Sequence, residues 1–311
     1  MLNYSTNTKP CPGFYCGKMS LNDSCGACPK GFISDNSSMC IKCHEKLLLY
    51  DWLFLGFIVV QPIIFNFYFT IKLSIKFKSN SKLWILRLFM FCKSLLSFLI
   101  SLMIFEPVGM LQITKCSTNR LSDWYTMLFN PRLNFVKTIY CTQEAVYPIK
   151  SLVVTFYCIS ILLTIVVRPL IIIFVIRDSS WLKSIYYTLY LYPILTILYL
   201  AFGGICYKSY GYIIFIITII ASARLFSTVL LQNLSEMTIA SVVKATFLQP
   251  QNFLLVGCTW LSLFYSIISI VEPQSHLMYY GFLLSIIPLP YVIFCLSLHF
   301  TNPNVEVFTI I

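Results

Sequence analysis

The sequence predicts an all-α polytopic membrane protein of about seven transmembrane helices, preceded by a small cysteine-rich N-terminal lumenal head. Three observations predict it. The chain has 311 residues, of which 58% are hydrophobic and 11% charged, with a mean hydropathy of +0.81; a soluble domain carries about 25% charged residues. Seven apolar runs follow one another after residue 52. Six of the thirteen cysteines fall between Cys11 and Cys43. A chain of this composition cannot cover an aqueous surface, so its solvent is largely membrane lipid. The net charge of +11 does not point to nucleic acid, because the basic residues lie scattered between apolar runs and form no stripe.

Residues 1–51 make up the head. It contains Cys11-Pro-Gly-Phe-Tyr-Cys16, Cys25-Gly-Ala-Cys28 and Cys40-Ile-Lys-Cys43. No apolar stretch long enough for a signal-peptide core precedes Trp52. The head therefore stays cytosolic or is carried across by the segment behind it. Three glycosylation acceptors, at Asn3, Asn22 and Asn36, suggest a lumenal or extracellular address. An even cysteine count in a segment too small for an apolar core fits a disulfide-stapled module. The alternative is zinc: Cys25, Cys28, Cys40 and Cys43, with His44 adjacent, have metal-ligand spacing, and a cytosolic head would favour that reading.

The membrane domain spans residues 52–300. Its runs are 53–71, with Pro62 inside; 88–105, preceded by the basic patch from Lys72 to Arg87; 151–167, closed by Arg168-Pro169; 185–202, interrupted by Pro193; 212–230; 253–271; and 278–300, with Pro288 and Pro290 inside. Lys93 sits about one and a half turns into the second run, where it is expected to snorkel toward the basic side. Gly203 to Tyr210 reads as a tight turn between the fourth and fifth runs, with Gly203-Gly204 as a close-packing point. A short apolar tail, 301–311, ends the chain.

Orientation follows from the basic residues. With the head outside, the inside connections hold Lys72, Lys76, Lys78, Lys82, Arg87, Arg168, Arg177, Lys183, Arg224 and Lys244. The outside connections hold Lys115, Arg120, Arg132, Lys137, Lys150 and Lys208. The bias favours an outside head and a cytosolic tail. Cys116 and Cys141, in the loop 106–150, then share the head's compartment. The disulfide candidates become Cys11, Cys16, Cys25, Cys28, Cys40, Cys43, Cys116 and Cys141, an even set whose connectivity the sequence leaves open. A fourth acceptor, Asn233, falls on the cytosolic side.

The loop is rich in aromatic residues. Asp123, Trp124, Tyr125 and Glu144 are candidates for a partner surface. The alternative is a compact cap stapled by Cys116 to Cys141, with its aromatics at the membrane interface. Asp51, Glu106 and Glu272 fall at span ends, where boundary placement alone explains them. All eleven acidic residues lie outside the apolar runs, and there is no H-E-x-x-H, G-x-S-x-G or P-loop pattern. No catalytic residue and no cofactor is therefore assigned. The intramembrane prolines fit packed bundles or the broken helices of transporters.

The ordered motifs Cys11-Pro-Gly-Phe-Tyr-Cys-Gly17, Cys25-Gly-Ala-Cys28-Pro, Tyr50-Asp-Trp-Leu53, Pro107-Val-Gly109, Ser122-Asp-Trp-Tyr-Thr-Met-Leu128, Glu144-Ala-Val-Tyr-Pro148 and Pro193-Ile-Leu-Thr196 closely resemble the Jun N-terminal kinase-associated membrane protein (JAMP) family. The resemblance implies a seven-span, non-enzymatic adaptor of the endoplasmic reticulum membrane. Its family's members bind the stress-activated kinase and prolong its signalling. They also link proteasome and ubiquitin-ligase components to the membrane during degradation of misfolded proteins, part of the unfolded protein response. The tail from Phe300 to Ile311 is short and departs from the family, so no kinase-docking residue is carried over. From the residues alone, the runner-up is a seven-span receptor or small-solute transporter.

Overall fold

The computed structural model describes residues 10–77, 81–109, 111, 113–118, 120–129, 139–171, 173–174, 183–226, 239–271 and 277–301. The head is held by short antiparallel pairs: β1 (Cys16–Gly17) with β2 (Gly26–Ala27), and β3 (Phe32–Ser34) with β4 (Cys40–Lys42). Ladders of two or three residues are not stable in water by themselves, so covalent links must hold them. β5 (Glu45–Lys46) pairs with β6 (Thr114–Lys115), which joins the head to the loop through the backbone.

The helices are α1 (Leu49–Phe77), α2 (Ser81–Ile104), α3 (Ile149–Ile171), α4 (Lys183–Leu225), α5 (Ile239–Leu248), α6 (Pro250–Ile270), α7 (Leu277–Leu284) and α8 (Leu289–Thr301), with a 3₁₀ segment at Leu121–Phe129. Among the described residues, five helical stretches are long and apolar enough to cross a membrane: Leu49–Phe69, Trp84–Ile104, Ile149–Ile171, Leu189–Leu225 and Asn252–Ile270. Two expectations are corrected here. The turn expected at Gly203–Tyr210 is absent, and α4 continues through it, because apolar flanks carry the helix across and no proline interrupts residues 203–210. The last run is divided: Pro288 and Pro290 lack the N–H groups that a continuous helix needs, leaving two pieces of 8 and 13 residues. The seven-span count is thus not reproduced among these helices.

The chain divides into two compact units, Met1–Tyr207 and Lys208–Ile311. In the first, α2 packs against α1 and α3. Its buried face carries Ser94, Ser97 and Ser101, while Leu88, Leu95 and Leu99 are exposed. That inversion follows from the solvent: lipid is as apolar as leucine, so small polar residues that permit close approach form the contacts. Ser97 and Ser101 donate to the carbonyls of Lys93 and Ser97 on their own helix. In the second unit, Phe226 and Val256 pack with Tyr291 and Phe294, and Tyr291 Oη donates to Thr246 Oγ1 at 2.9 Å.

Candidate functional site

The cap grows out of the start of α1. Leu48 precedes the first turn, and its N–H donates to Asp51 Oδ2 at 2.7 Å, the reach-back half of a capping box. The same carboxylate accepts from Lys115 Nζ at 2.6 Å and from Tyr207 Oη at 2.6 Å. Asp51 is fully buried and Lys115 nearly so. A buried charge is tolerated only when paired and hydrogen-bonded, and Asp51 has three donors from three parts of the chain. The boundary reading of Asp51 in the sequence therefore missed its role. Tyr50 Oη adds a further bond to the Tyr207 carbonyl.

Four disulfides complete the cap: Cys11–Cys25, Cys16–Cys141, Cys28–Cys40 and Cys43–Cys116. The expected Cys116–Cys141 staple is replaced by two bonds from the head to the loop. The β5–β6 pairing explains part of this, because it brings Cys116 beside Cys43. The zinc alternative is overturned, since Cys25, Cys28, Cys40 and Cys43 are spread over three disulfides and offer no thiolate. Gly17 covers the Cys28–Cys40 bond so closely that a Cβ there would stand 2.6 Å from Cys40 Sγ, which accounts for glycine after Cys16.

The four partner-surface candidates do not form an exposed patch. Asp123 and Trp124 are buried, and Tyr125 and Glu144 are half-buried. Asp123 Oδ1 accepts from Tyr15 Oη at 2.8 Å, and its Oδ2 accepts from Arg120 N at 2.9 Å. Burial, with the neighbouring Asp123 charge adding to it, pushes the Tyr15 phenol up to about 12. Trp124 lies against Phe54 of α1 and against Tyr199 and Tyr207 of α4. It fits there because Gly204 has no Cβ; one would stand 2.8 Å from Trp124 Cβ. The glycine pair is thus a packing point and not a turn. Tyr125 Oη donates to the Ala201 carbonyl at 3.1 Å, and Glu144 Oε1 accepts from Ser151 N at 2.7 Å. Burial raises the Glu144 carboxyl, and the Ser151 bonds oppose the shift. These residues seat the loop on α1, α3 and α4.

Asn22 and Asn36 are exposed at turns of the head, whereas Asn3 and Asn233 lie outside the described residues.

Below the cap, near the middle of the span Trp84–Ile104, Lys93 is 4% exposed. Its Nζ donates to Thr164 Oγ1 at 2.7 Å and Tyr192 Oη at 2.9 Å. The expected snorkelling is corrected: hydroxyls on α3 and α4 hold the ammonium inside the bundle, where leaving them would leave the group to lipid. Arg168, expected at a connection, is also buried, with Pro169 inside the last turn of α3.

With this geometry established, the comparisons with known proteins are specific. The family model described as JNK1/MAPK8-associated membrane protein matches residues 11–303. The mouse protein of that name is 34% identical over 309 residues, covering 94% of each chain. The human one is 34% identical over 307 residues, with the same coverage. A Caenorhabditis elegans homolog is 25% identical over 289 residues, covering 93% of this chain and 86% of its own. No solved structure matches. The match takes in both the stapled head and the helices beneath it, and the chain belongs to the JNK1/MAPK8-associated membrane protein (JAMP) family.

Proposed function

We propose that this protein is a non-enzymatic, multi-pass adaptor of the endoplasmic reticulum membrane, with its cap in the lumen and residues 301–311 in the cytosol. In this reading it associates with a JNK1/MAPK8-type stress kinase and prolongs its signalling. It also recruits proteasome and ubiquitin-ligase components for degradation of misfolded proteins. The observation that carries the kinase association is coverage: relatives matched over 94% of both chains are named for it. Four disulfides support an oxidising compartment for the cap. With α7 and α8 supplying the last crossing, the seven-crossing count requires α4, a continuous helix here, to fold back near Lys208 within the membrane. Its apolar stretch of 37 residues is nearly twice the roughly 20 that one crossing takes.

The test is proximity labelling with a biotin ligase fused to the C-terminus. Enrichment of the kinase, proteasome subunits and a ubiquitin ligase is the expected result. The buried Lys93 favours one second reading, a solute path through the bundle, since ionisable groups at membrane depth commonly mark such paths. Solute uptake into reconstituted vesicles, without those partners in the labelled set, would replace the adaptor by that transporter. Topology has a separate measurement. Glycosidase treatment of protein made in a glycosylating host is expected to shift its mobility, with Asn22→Gln and Asn36→Gln each removing one glycan. A chain with neither glycan contradicts the lumenal cap.

A further inference from the structure

The middle of the first unit holds a cluster of polar side chains in which donors outnumber acceptors. Lys93 of α2 is 4% exposed, and Ser160 and Thr164 of α3 and Tyr192 of α4 are fully buried. An ammonium has three protons to place. Two of those on Lys93 go to Thr164 Oγ1 and Tyr192 Oη, and the third has no acceptor among the described residues. Thr164 spends its own proton on the Ser160 carbonyl at 2.6 Å. Ser160 Oγ makes no hydrogen bond among the described residues. Ser160 and Asn66 approach the Tyr192 hydroxyl from the donor side. If Ser160 turns its proton to Tyr192 Oη, the phenol proton is left over; if Tyr192 donates to Ser160, the serine proton is. Either way two protons, one of them on a cation, end inside the bundle without an acceptor.

The charge is unbalanced as well. The apolar runs 53–71, 88–105, 151–167 and 185–202, which supply these side chains, contain no Asp or Glu. The one ion pair among the described residues, Lys115 with Asp51, lies at the start of α1. Ser94 Oγ donates to the Val59 carbonyl, which sets this part of α2 level with an α1 residue eight positions after Asp51. At the rise of an α-helix that is roughly 12 Å along the axis. Arg168, one turn after Thr164 on α3, is buried and close enough for its charge to act on Lys93. A buried charge is tolerated when it is paired. Lys93 meets two neutral hydroxyls, the Tyr192 ring at 4.8 Å and a second cation.

We propose that this cluster binds a small monovalent inorganic anion of the halide class, held between Lys93 Nζ, Tyr192 Oη and Ser160 Oγ. A halide is negative, accepts from every side and donates nothing, which matches the leftover protons. Water would serve the donors and leave the charge unbalanced. A phospholipid headgroup does not fit, because Lys93 and Ser160 expose only 4% and 0% of their surface. The three donors come from three helices, so the anion ties α2, α3 and α4 together in place of the carboxylate that their apolar runs lack. The proposal stands independently of the adaptor reading, and binding at equilibrium is measured without solute flux.

The test uses the full chain in phosphatidylcholine nanodiscs, washed into gluconate, with radiolabelled chloride as the probe. A single saturable site is expected, displaced by unlabelled chloride and by bromide but not by gluconate at the same ionic strength. Lys93→Met should weaken binding at least tenfold, the factor that corresponds to roughly 1.4 kcal/mol. Ser160→Ala and Tyr192→Phe each remove one hydroxyl and should each weaken it about tenfold, as expected for a hydrogen bond to a charged group. Ser262→Ala, on α6 in the second unit, should leave it unchanged. Absence of saturable binding overturns the proposal and leaves water as the occupant. Wild-type affinity in either Lys93→Met or Ser160→Ala also overturns it, since the anion then sits elsewhere. The displacement arms use the wild-type chain, and with Ser160→Ala they remain decisive if Lys93→Met fails to fold.

Discussion

Replacing Asp51 by Ala is expected to destabilise the protein by about 3–5 kcal/mol, because it leaves the buried Lys115 ammonium without its counter-charge. The Leu48 N–H and the Tyr207 hydroxyl lose their acceptor at the same time. Lys115→Met alone is expected to cost less than Asp51→Ala, since the carboxylate keeps those two donors. The double variant Asp51→Ala, Lys115→Met removes both charges and leaves two unserved neutral donors. Its cost should fall to about 2–4 kcal/mol, below the sum of the single changes. A double-mutant cycle on thermal unfolding in detergent reads this coupling directly. Strictly additive costs would show that the two charges do not meet in a dry site. The expected coupling is large because the pair is enclosed; exposed pairs are worth about 0–1 kcal/mol.

Loss of the Cys16–Cys141 bond is expected to cost about 2–4 kcal/mol, toward the middle of the range for native disulfides. The two cysteines are 125 residues apart, and chain entropy alone would give a larger value, about 4.7 kcal/mol for a 100-residue loop. The intervening segment contains α1 and α2, which lipid keeps helical even when the bundle loosens, so less freedom is released. Connectivity has a sharper readout. A site-specific protease sequence inserted between Cys116 and Cys141 cuts the chain into two pieces. In the wild-type protein these should remain joined on a non-reducing gel. With Cys16→Ala they should separate without reductant. If they stay joined, Cys141 is bonded to a cysteine other than Cys16 and the Cys16–Cys141 staple is wrong.

Several residues show where sequence reading stopped. Asp51 has the position of an ordinary helix boundary, and the meaning of that position depends on Lys115, 64 residues away, and Tyr207, 156 residues away. Lys93 lies close enough to a basic end to suggest snorkelling; only the approach of Thr164 and Tyr192 from two other helices turns it inward. Asp123 and Trp124 look like a surface because aromatic and acidic residues in a loop often are one. They are buried here because Gly204 opens room for the indole and Tyr15 reaches the carboxylate. Gly203-Gly204 carries the same signal for a turn as for a packing notch, and the neighbour that distinguishes the two is distant in sequence.

The sequence by itself determined the membrane class, the helical content, the cross-linked character of the head and the family. Each of these depends on composition, on runs of neighbouring residues, or on motifs read in order. Lipid acts on every apolar segment separately, and a head without a core must be cross-linked whatever its partners are. Tertiary structure alone decided which cysteines pair, which charges are enclosed, where α4 continues and where the last apolar run breaks. Those outcomes depend on which helices become neighbours. In lipid that choice is made by close packing and by polar groups finding partners across the bundle, which no single stretch of sequence contains.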